Sequence, residues 1–279
     1  MIKYHRVFCV LILLLGIRTG YGQESGSFHY THYGNVLRTY VDEQGRVDYR
    51  LLGSDMDDLK SFLNQMEFLD PDEYTAWPAE DKIAFWINAY NSLTLKVIID
   101  HYPIEASLIG SLRYPSSSIR QIPGVWNITT FPIMGRNLTL DHIEHEILRK
   151  EFNEPRIHMA LVCAALSCPF LKQEPYEGAG LDQQLDDQTV KFLSESSNFR
   201  IDRNRNRVFL SSIFNWFGED FMDLFEPESG YGRHSSQERA VLHFISRFLS
   251  DQDSNYLATG SYRVRYLDYD WTLNDRIYQ

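Results

Sequence analysis

The stretch from Pro78 to about His101 constrains this chain more than any other. Within it, Ile83-Ala84-Phe85-Trp86-Ile87-Asn88-Ala89-Tyr90-Asn91 places apolar residues on every face of a helix, and such a helix has to be enclosed by protein. Pro78 suits the first turn, and Pro103 cannot continue the helix. The rest of the chain must therefore wrap around one central buried helix. Asn88 and Asn91 are three positions apart and share a face. Buried amides need partners, so the pair either ties a loop to the core or includes a group that orients a catalytic residue.

The surrounding sequence reads as shorter elements. Tyr33–Tyr40 suits a short helix, and Gly45 marks a turn before Val47-Asp48-Tyr49. Met56, Leu59, Phe62, Leu63 and Met66 recur at helical spacing behind Ser54, the expected cap. Thr139 caps a helix with the stripe Leu140, Ile143, Ile147 and Leu148, and Leu181–Ser194 is another. Ser235 and Glu238 form a capping box before Val241, Phe244, Ile245 and Phe248. Residues 131–138 and 199–210 read as hairpins, Ile157–Cys163 as a buried strand, and Tyr262–Tyr266 alternates like a strand. Helices outnumber strands, and the strands favour hairpins. The expectation is an α+β fold: a predominantly helical single domain with a small, mostly antiparallel sheet and a central buried helix.

At the N-terminus, Lys3 and Arg6 precede the apolar run Val7–Ile17, and Gly20 and Gly22 follow. The run is about half the roughly 20 residues a membrane span needs. Residues 1–22 therefore read as a cleavable signal peptide, with 23–279 as one globular domain (core about 36–222, C-terminal extension 223–279). That domain is expected to be exported, periplasmic or extracellular, with no transmembrane span. The chain's formal charge is −11; losing Lys3, Arg6 and Arg18 with the leader removes three positive charges and no acids, leaving −14. A field of that sign repels phosphate backbones and argues against nucleic acid as a partner.

Cys9 leaves with the leader, so only Cys163 and Cys168 remain. They belong to the densest reactive segment, His158-x4-Cys163-x4-Cys168-Pro169. A thiol becomes a nucleophile beside a base or a positive group, and imidazole oriented by Asn is a common arrangement. On a strand, His158 and Cys163 would face opposite sides, so Cys168 would fold back toward His158 and Cys163 would meet a different histidine. Two other readings stay open: a small buried Cys163 beside a core histidine, and a disulfide in an oxidising compartment. Asp141-His142-Ile143-Glu144-His145-Glu146 lacks the order of a zinc peptidase helix and reads as a polar helix face, from which Glu144 or His145 can meet a cleft. No metal or other cofactor is expected.

Together these segments resemble the domain-of-unknown-function family 547. The residues that carry the resemblance are Gly45-x-Val47-Asp48-Tyr49, Ala84–Asn91, Leu140-Asp141-x-Ile143-Glu144-His145-x-Ile147-Leu148-Arg149, His158–Cys163 with Cys168-Pro169, and the Trp216 region, spanning about 36 to 222. The closing Tyr269-Asp270-Trp271-x-Leu273-Asn274 is similar to segments of exported bacterial proteins. The resemblance implies no settled activity. It implies that the Cys163 position is usually kept while some relatives carry Ser at 168, which favours Cys163 and argues against a disulfide required across the family. The working expectation is a thiol-dependent hydrolase or acyl transferase acting on an envelope or extracellular substrate. Cys163 or Cys168 would be the nucleophile, His158 or His145 the base, and Asn88 or Asn91 the orienting group. Glu144, Trp86, Tyr90, Trp216, Asp270 and Trp271 are the binding candidates. The alternatives are a non-catalytic cell-envelope binding module, in which both cysteines are dispensable for binding, and last a redox protein using the cysteine pair.

Overall fold

The computed structural model describes residues 28–106 and 110–276. The expected leader, residues 1–22, and the short segment after it lie outside that range. The all-round apolar helix forms as Ala79–Asp100, and its residues from Ile83 to Leu95 are all buried. Shorter helices pack around it, among them Thr31–Tyr40, Tyr49–Ser54 and Asp57–Glu67. Leu181–Ser194 also contacts it.

Two small sheets complete an α+β fold. The strands Phe131–Ile133 (β1) and Arg136–Leu138 (β2) form an antiparallel hairpin. Phe199–Asp202 (β3) pairs antiparallel with Arg207–Leu210 (β4), and Arg263–Tyr266 (β5) adds to β4 in parallel. Two hydrophobic clusters result, one around the central helix and one beneath the three-stranded sheet, and Tyr269 packs against both. Among the described residues, no helix is long and apolar enough to cross a membrane.

Several local expectations change. Ile157–Cys163 is not a strand: Pro155–Met159 is a 3-10 turn, and the chain then runs on without a neighbouring strand. Asn91 explains this. Its amide donates to the Ala160 carbonyl at 3.0 Å and accepts from the Val162 N–H at 2.9 Å, so groups that a sheet ladder would pair are satisfied by a side chain. Ser54 does not cap Asp57–Glu67. It ends the preceding helix, whose cap is Asp48 accepting from the Leu51 N–H at 2.9 Å. Thr139 does cap its helix through the His142 N–H at 3.1 Å, but His142–Leu148 is wound as a π-helix. The wider turn leaves the Arg149 N–H bonded to the Glu144 carbonyl five residues back, a form concentrated at functional sites.

The C-terminal segment returns across the molecule and is laced to the loop that carries the cysteines. The N–H groups of Leu166 and Ser167 donate to the carbonyls of Thr272 and Asp270, at 2.8 and 3.2 Å, and the Asn274 N–H donates to the Ala164 carbonyl at 3.1 Å. Asn274 also reaches the N-terminal region, donating to the Gly45 carbonyl at 3.1 Å and accepting from the Tyr49 hydroxyl at 2.7 Å. Gly45 is needed there: φ is +70°, and a Cβ would stand 2.6 Å from the Leu171 nitrogen.

Candidate functional site

A cleft of about 550 Å³ opens between the π-helix, the cysteine loop and the returning C-terminal segment. Its walls carry both cysteines, His158, His145, Glu144, Tyr90, Trp216 and Trp271. The structure thus brings together eight of the twelve expected site residues.

The other four stand apart from it. Asn88 and Asn91 are buried and spent on backbone: Asn88 donates to the Tyr176 carbonyl at 2.7 Å and accepts from its N–H at 3.0 Å, as Asn91 does for 160–162. Both are loop ties, and neither lines the cleft. The indole of Trp86 donates to the Tyr74 hydroxyl at 2.7 Å. Asp270 faces the far side of the cysteine loop, where its N–H donates to the Ser167 hydroxyl at 2.9 Å.

Cys163 and Cys168 are bonded to each other, with Cα atoms 6.2 Å apart. Cys168 is buried, while Cys163 is partly open to the cleft. The Cys163 N–H donates to the Cys168 sulfur at 3.0 Å. The Tyr269 hydroxyl donates to both sulfurs, at 3.2 Å to Cys163 and 3.1 Å to Cys168. Burial, and then the nearby Glu144 carboxylate, push the Tyr269 phenol well above its ordinary pKa, so it stays a proton donor toward sulfur. Between the cysteines, Ala164 holds a left-handed backbone (φ +59°), a local strain of the kind that collects at working sites.

No histidine nitrogen among the described residues lies within hydrogen-bond reach of either sulfur. The histidines are committed elsewhere. The His158 Nε2–H donates to Asp220 at 2.7 Å, and the ring stacks on Phe217 with centroids 4.2 Å apart. Asp220 also accepts from Arg149 Nε at 2.6 Å and Nη2 at 2.7 Å. Burial raises the Asp220 pKa, but the hydrogen bonds and charges of Arg149 and His158 outweigh it and hold the carboxyl well below its usual range. Arg149 Nη1 then donates to His145 Nδ1 at 3.1 Å. With Glu219, which accepts from Arg149 Nη2 at 3.1 Å, five side chains form one network that anchors both cleft histidines. Glu144 is buried and faces the Tyr90 hydroxyl. Among the described residues, no group of three or more acidic, histidine or cysteine side chains is placed to hold a metal ion.

Residues 74–193 match the family described as Protein of unknown function, DUF547. The chain resembles DUF547. No curated protein and no solved structure matches it. The DUF547 segment is narrower than the resemblance read from the sequence. It supplies the cysteines, His158, the π-helix and Tyr90, whereas Trp216, Phe217, Asp220, Tyr269 and Trp271 lie beyond it.

Sequence reasoning did not single out Tyr269, Phe217, Trp126 and Arg120, which line the cleft, nor Asp220 and Arg149, which bond to its histidines. A signal existed for Tyr269. In extended chain, alternate residues share a face, so placing Trp271 in the cleft implies Tyr269 beside it and Asp270 turned away. The two rings lie 4.6 Å apart. Asp220 had no such signal, because its partners are 71 and 62 positions distant.

Proposed function

We propose that this DUF547-like protein is an exported thiol-dependent enzyme, a hydrolase or acyl transferase, whose cleft-facing nucleophile is Cys163. The observation that carries this reading is the position of the sulfur pair: on the wall of an aromatic cleft, under a protonated phenol whose hydroxyl reaches both sulfurs. The bonded pair is the oxidised resting form; an external dithiol reduces it by thiol–disulfide exchange, becoming a disulfide itself, and leaves the working dithiol. In that form the Tyr269 hydroxyl is a donor toward the Cys163 sulfur and favours its thiolate, while the Cys163 N–H points at Cys168. The Cys163 thiolate then attacks an acyl carbon, the bond from that carbon to its oxygen or nitrogen leaving group breaks, the leaving group departs with a proton, and a thioester remains that water or an acceptor nucleophile cleaves to restore the thiol. Export rests on Lys3, Arg6 and the short apolar run after them, and it places the pair where oxidation competes with catalysis.

The histidines enter this reading differently from the sequence expectation. With His158 committed to Asp220, the bases nearest the cleft interior are Glu144, facing Tyr90 and Tyr269, and His145. The test is incubation of the reduced full-length protein with a nitrophenyl acyl ester, read by intact mass and peptide mapping. An acyl adduct on Cys163, formed faster than in the urea-denatured protein and lost in Cys163→Ser, is the expected result. Equal acylation of native and denatured protein refutes it.

One observation favours a second reading, thiol–disulfide exchange: the bonded pair has one sulfur toward the cleft and one buried. Cys168→Ser separates the two. Acyl transfer through Cys163 survives that change, whereas turnover by exchange needs the second sulfur and is lost. A binding module without catalysis remains the outcome if neither activity appears and the double serine variant binds its ligand unchanged.

A further inference from the structure

The loop between the central helix and β1 delivers a cation to the cleft. Arg120 stands over three rings, 4.7 Å from the centroid of Tyr114, 4.9 Å from Trp271 and 5.3 Å from Trp126. Its Nη2 donates to the Tyr114 hydroxyl at 2.7 Å. Arg120 and all three rings line the same cleft as the sulfur pair.

An arginine side chain on a surface normally retains several rotamers. Here the rings hold the guanidinium in place by cation–π attraction, so its hydrogen-bonding fork is oriented before any ligand arrives. A guanidinium has five N–H donors, and among the described residues side-chain acceptors take only the one pointing at Tyr114. Among the described residues no carboxylate lies within ion-pair distance of Arg120, although the protein is acidic and its other cleft-lining acids are engaged. Asp141 sits 3.9 Å from His145, and Glu144 faces Tyr90 and Tyr269. A planar fork of free donors matches a carboxylate. Asp141 and Glu144 in the same cleft oppose a multiply charged ligand, and the indoles of Trp126, Trp216 and Trp271 favour a flat, apolar body.

We propose that Arg120, caged by Tyr114, Trp126 and Trp271, binds the carboxylate of a singly charged ligand whose remainder stacks on the indole wall of the cleft. This rests on the reading of the cleft as the reaction site and supplies the substrate class for it.

The probes are 3-phenylpropionate and its neutral amide, titrated by calorimetry against the full-length protein in its oxidised form. The carboxylate is expected to bind at least about tenfold more tightly than the amide, the size of one charge-assisted contact. Its advantage should shrink with added salt. Arg120→Met should bring the ratio close to one with little change for the amide. Arg120→Lys, which keeps the charge but not the fork, should fall between them and serves if the Met variant fails to fold. Equal binding of the two probes, no binding of either at millimolar concentration, or a ratio unchanged in both variants overturns the proposal. The Cys163→Ser, Cys168→Ser double variant separates this idea from the thiol reading. If probe binding survives there while acylation is absent from the native protein, carboxylate recognition stands and thiol catalysis fails. If acylation is found but the probe ratio is one, the reverse holds.

Discussion

Replacing Asp220 by Asn tests whether the His158–Asp220–Arg149 network holds the cleft together. Asp220 accepts three charge-assisted hydrogen bonds, from Arg149 Nε at 2.6 Å, Arg149 Nη2 at 2.7 Å and His158 Nε2 at 2.7 Å. Asn keeps one acceptor oxygen and turns an N–H₂ group toward an N–H donor. With its oxygen in the Oδ2 place Asn keeps the bonds from Arg149 Nε and His158 without their charge assistance and loses the one from Arg149 Nη2. A charge-assisted bond is worth about 1.5–3 kcal/mol and a neutral one about 0.5–1.5 kcal/mol, so one outright loss and two weakened bonds together cost about 3 kcal/mol or more. The Asp220 side chain is 20% exposed, and Arg149 retains Glu219 at 3.1 Å, so the lower end applies and the loss should be about 3 kcal/mol at pH 7. The pH dependence has a definite sign. The carboxyl is held below its ordinary value of 3.8 in the folded state, so its contribution is fully present above pH 4 and is lost as pH falls toward the folded value. Between pH 7 and pH 3 the gap between wild type and variant should narrow by about 1 kcal/mol. Urea denaturation of both proteins at the two pH values measures it. A loss under about 0.5 kcal/mol at pH 7, the range of ordinary surface changes, or a gap that widens toward pH 3, refutes the reasoning.

Other perturbations probe separate parts of the account. Asn91→Ala strips partners from the Ala160 carbonyl and Val162 N–H, and should cost about 2–4 kcal/mol in chemical denaturation. Tyr269→Phe removes the donor shared by both sulfurs, and should slow alkylation of the reduced protein near neutral pH by about tenfold while leaving the denatured rate unchanged. Gly45→Ala meets both a left-handed backbone and the Leu171 nitrogen. It should lower stability by at least about 1–3 kcal/mol, seen as a reduced thermal midpoint.

Much of the fold was legible because it follows local rules. The central helix announced itself by apolar residues on every face, the capping box at Ser235 formed as read, and Leu181–Ser194 begins and ends where the sequence placed it. The errors arose where a distant side chain replaced a local rule. Residues 157–163 have the composition of a strand, but Asn91 from another element takes their hydrogen bonds. The π-turn at His142–Leu148 is invisible to a periodicity count, since one wide turn leaves Leu140, Ile143 and Ile147 buried either way. Of the residues singled out by clustering in sequence, the cysteines, His158 and Glu144 line the cleft, whereas Asn88 and Asn91 tie loops to the central helix. Arg120 gave no signal, because its meaning comes from three rings at positions 114, 126 and 271.

Site-mapped alkylation tests the central claim most directly. The full-length protein is reduced, freed of reductant and exposed to iodoacetamide near neutral pH, and each cysteine's labelling rate is compared with that in urea. A cleft-facing nucleophile predicts that Cys163 labels faster in the native protein than in the denatured one, with the buried Cys168 lagging behind it. If neither cysteine exceeds its denatured rate, Cys163 is not an activated thiol and the proposed chemistry is wrong.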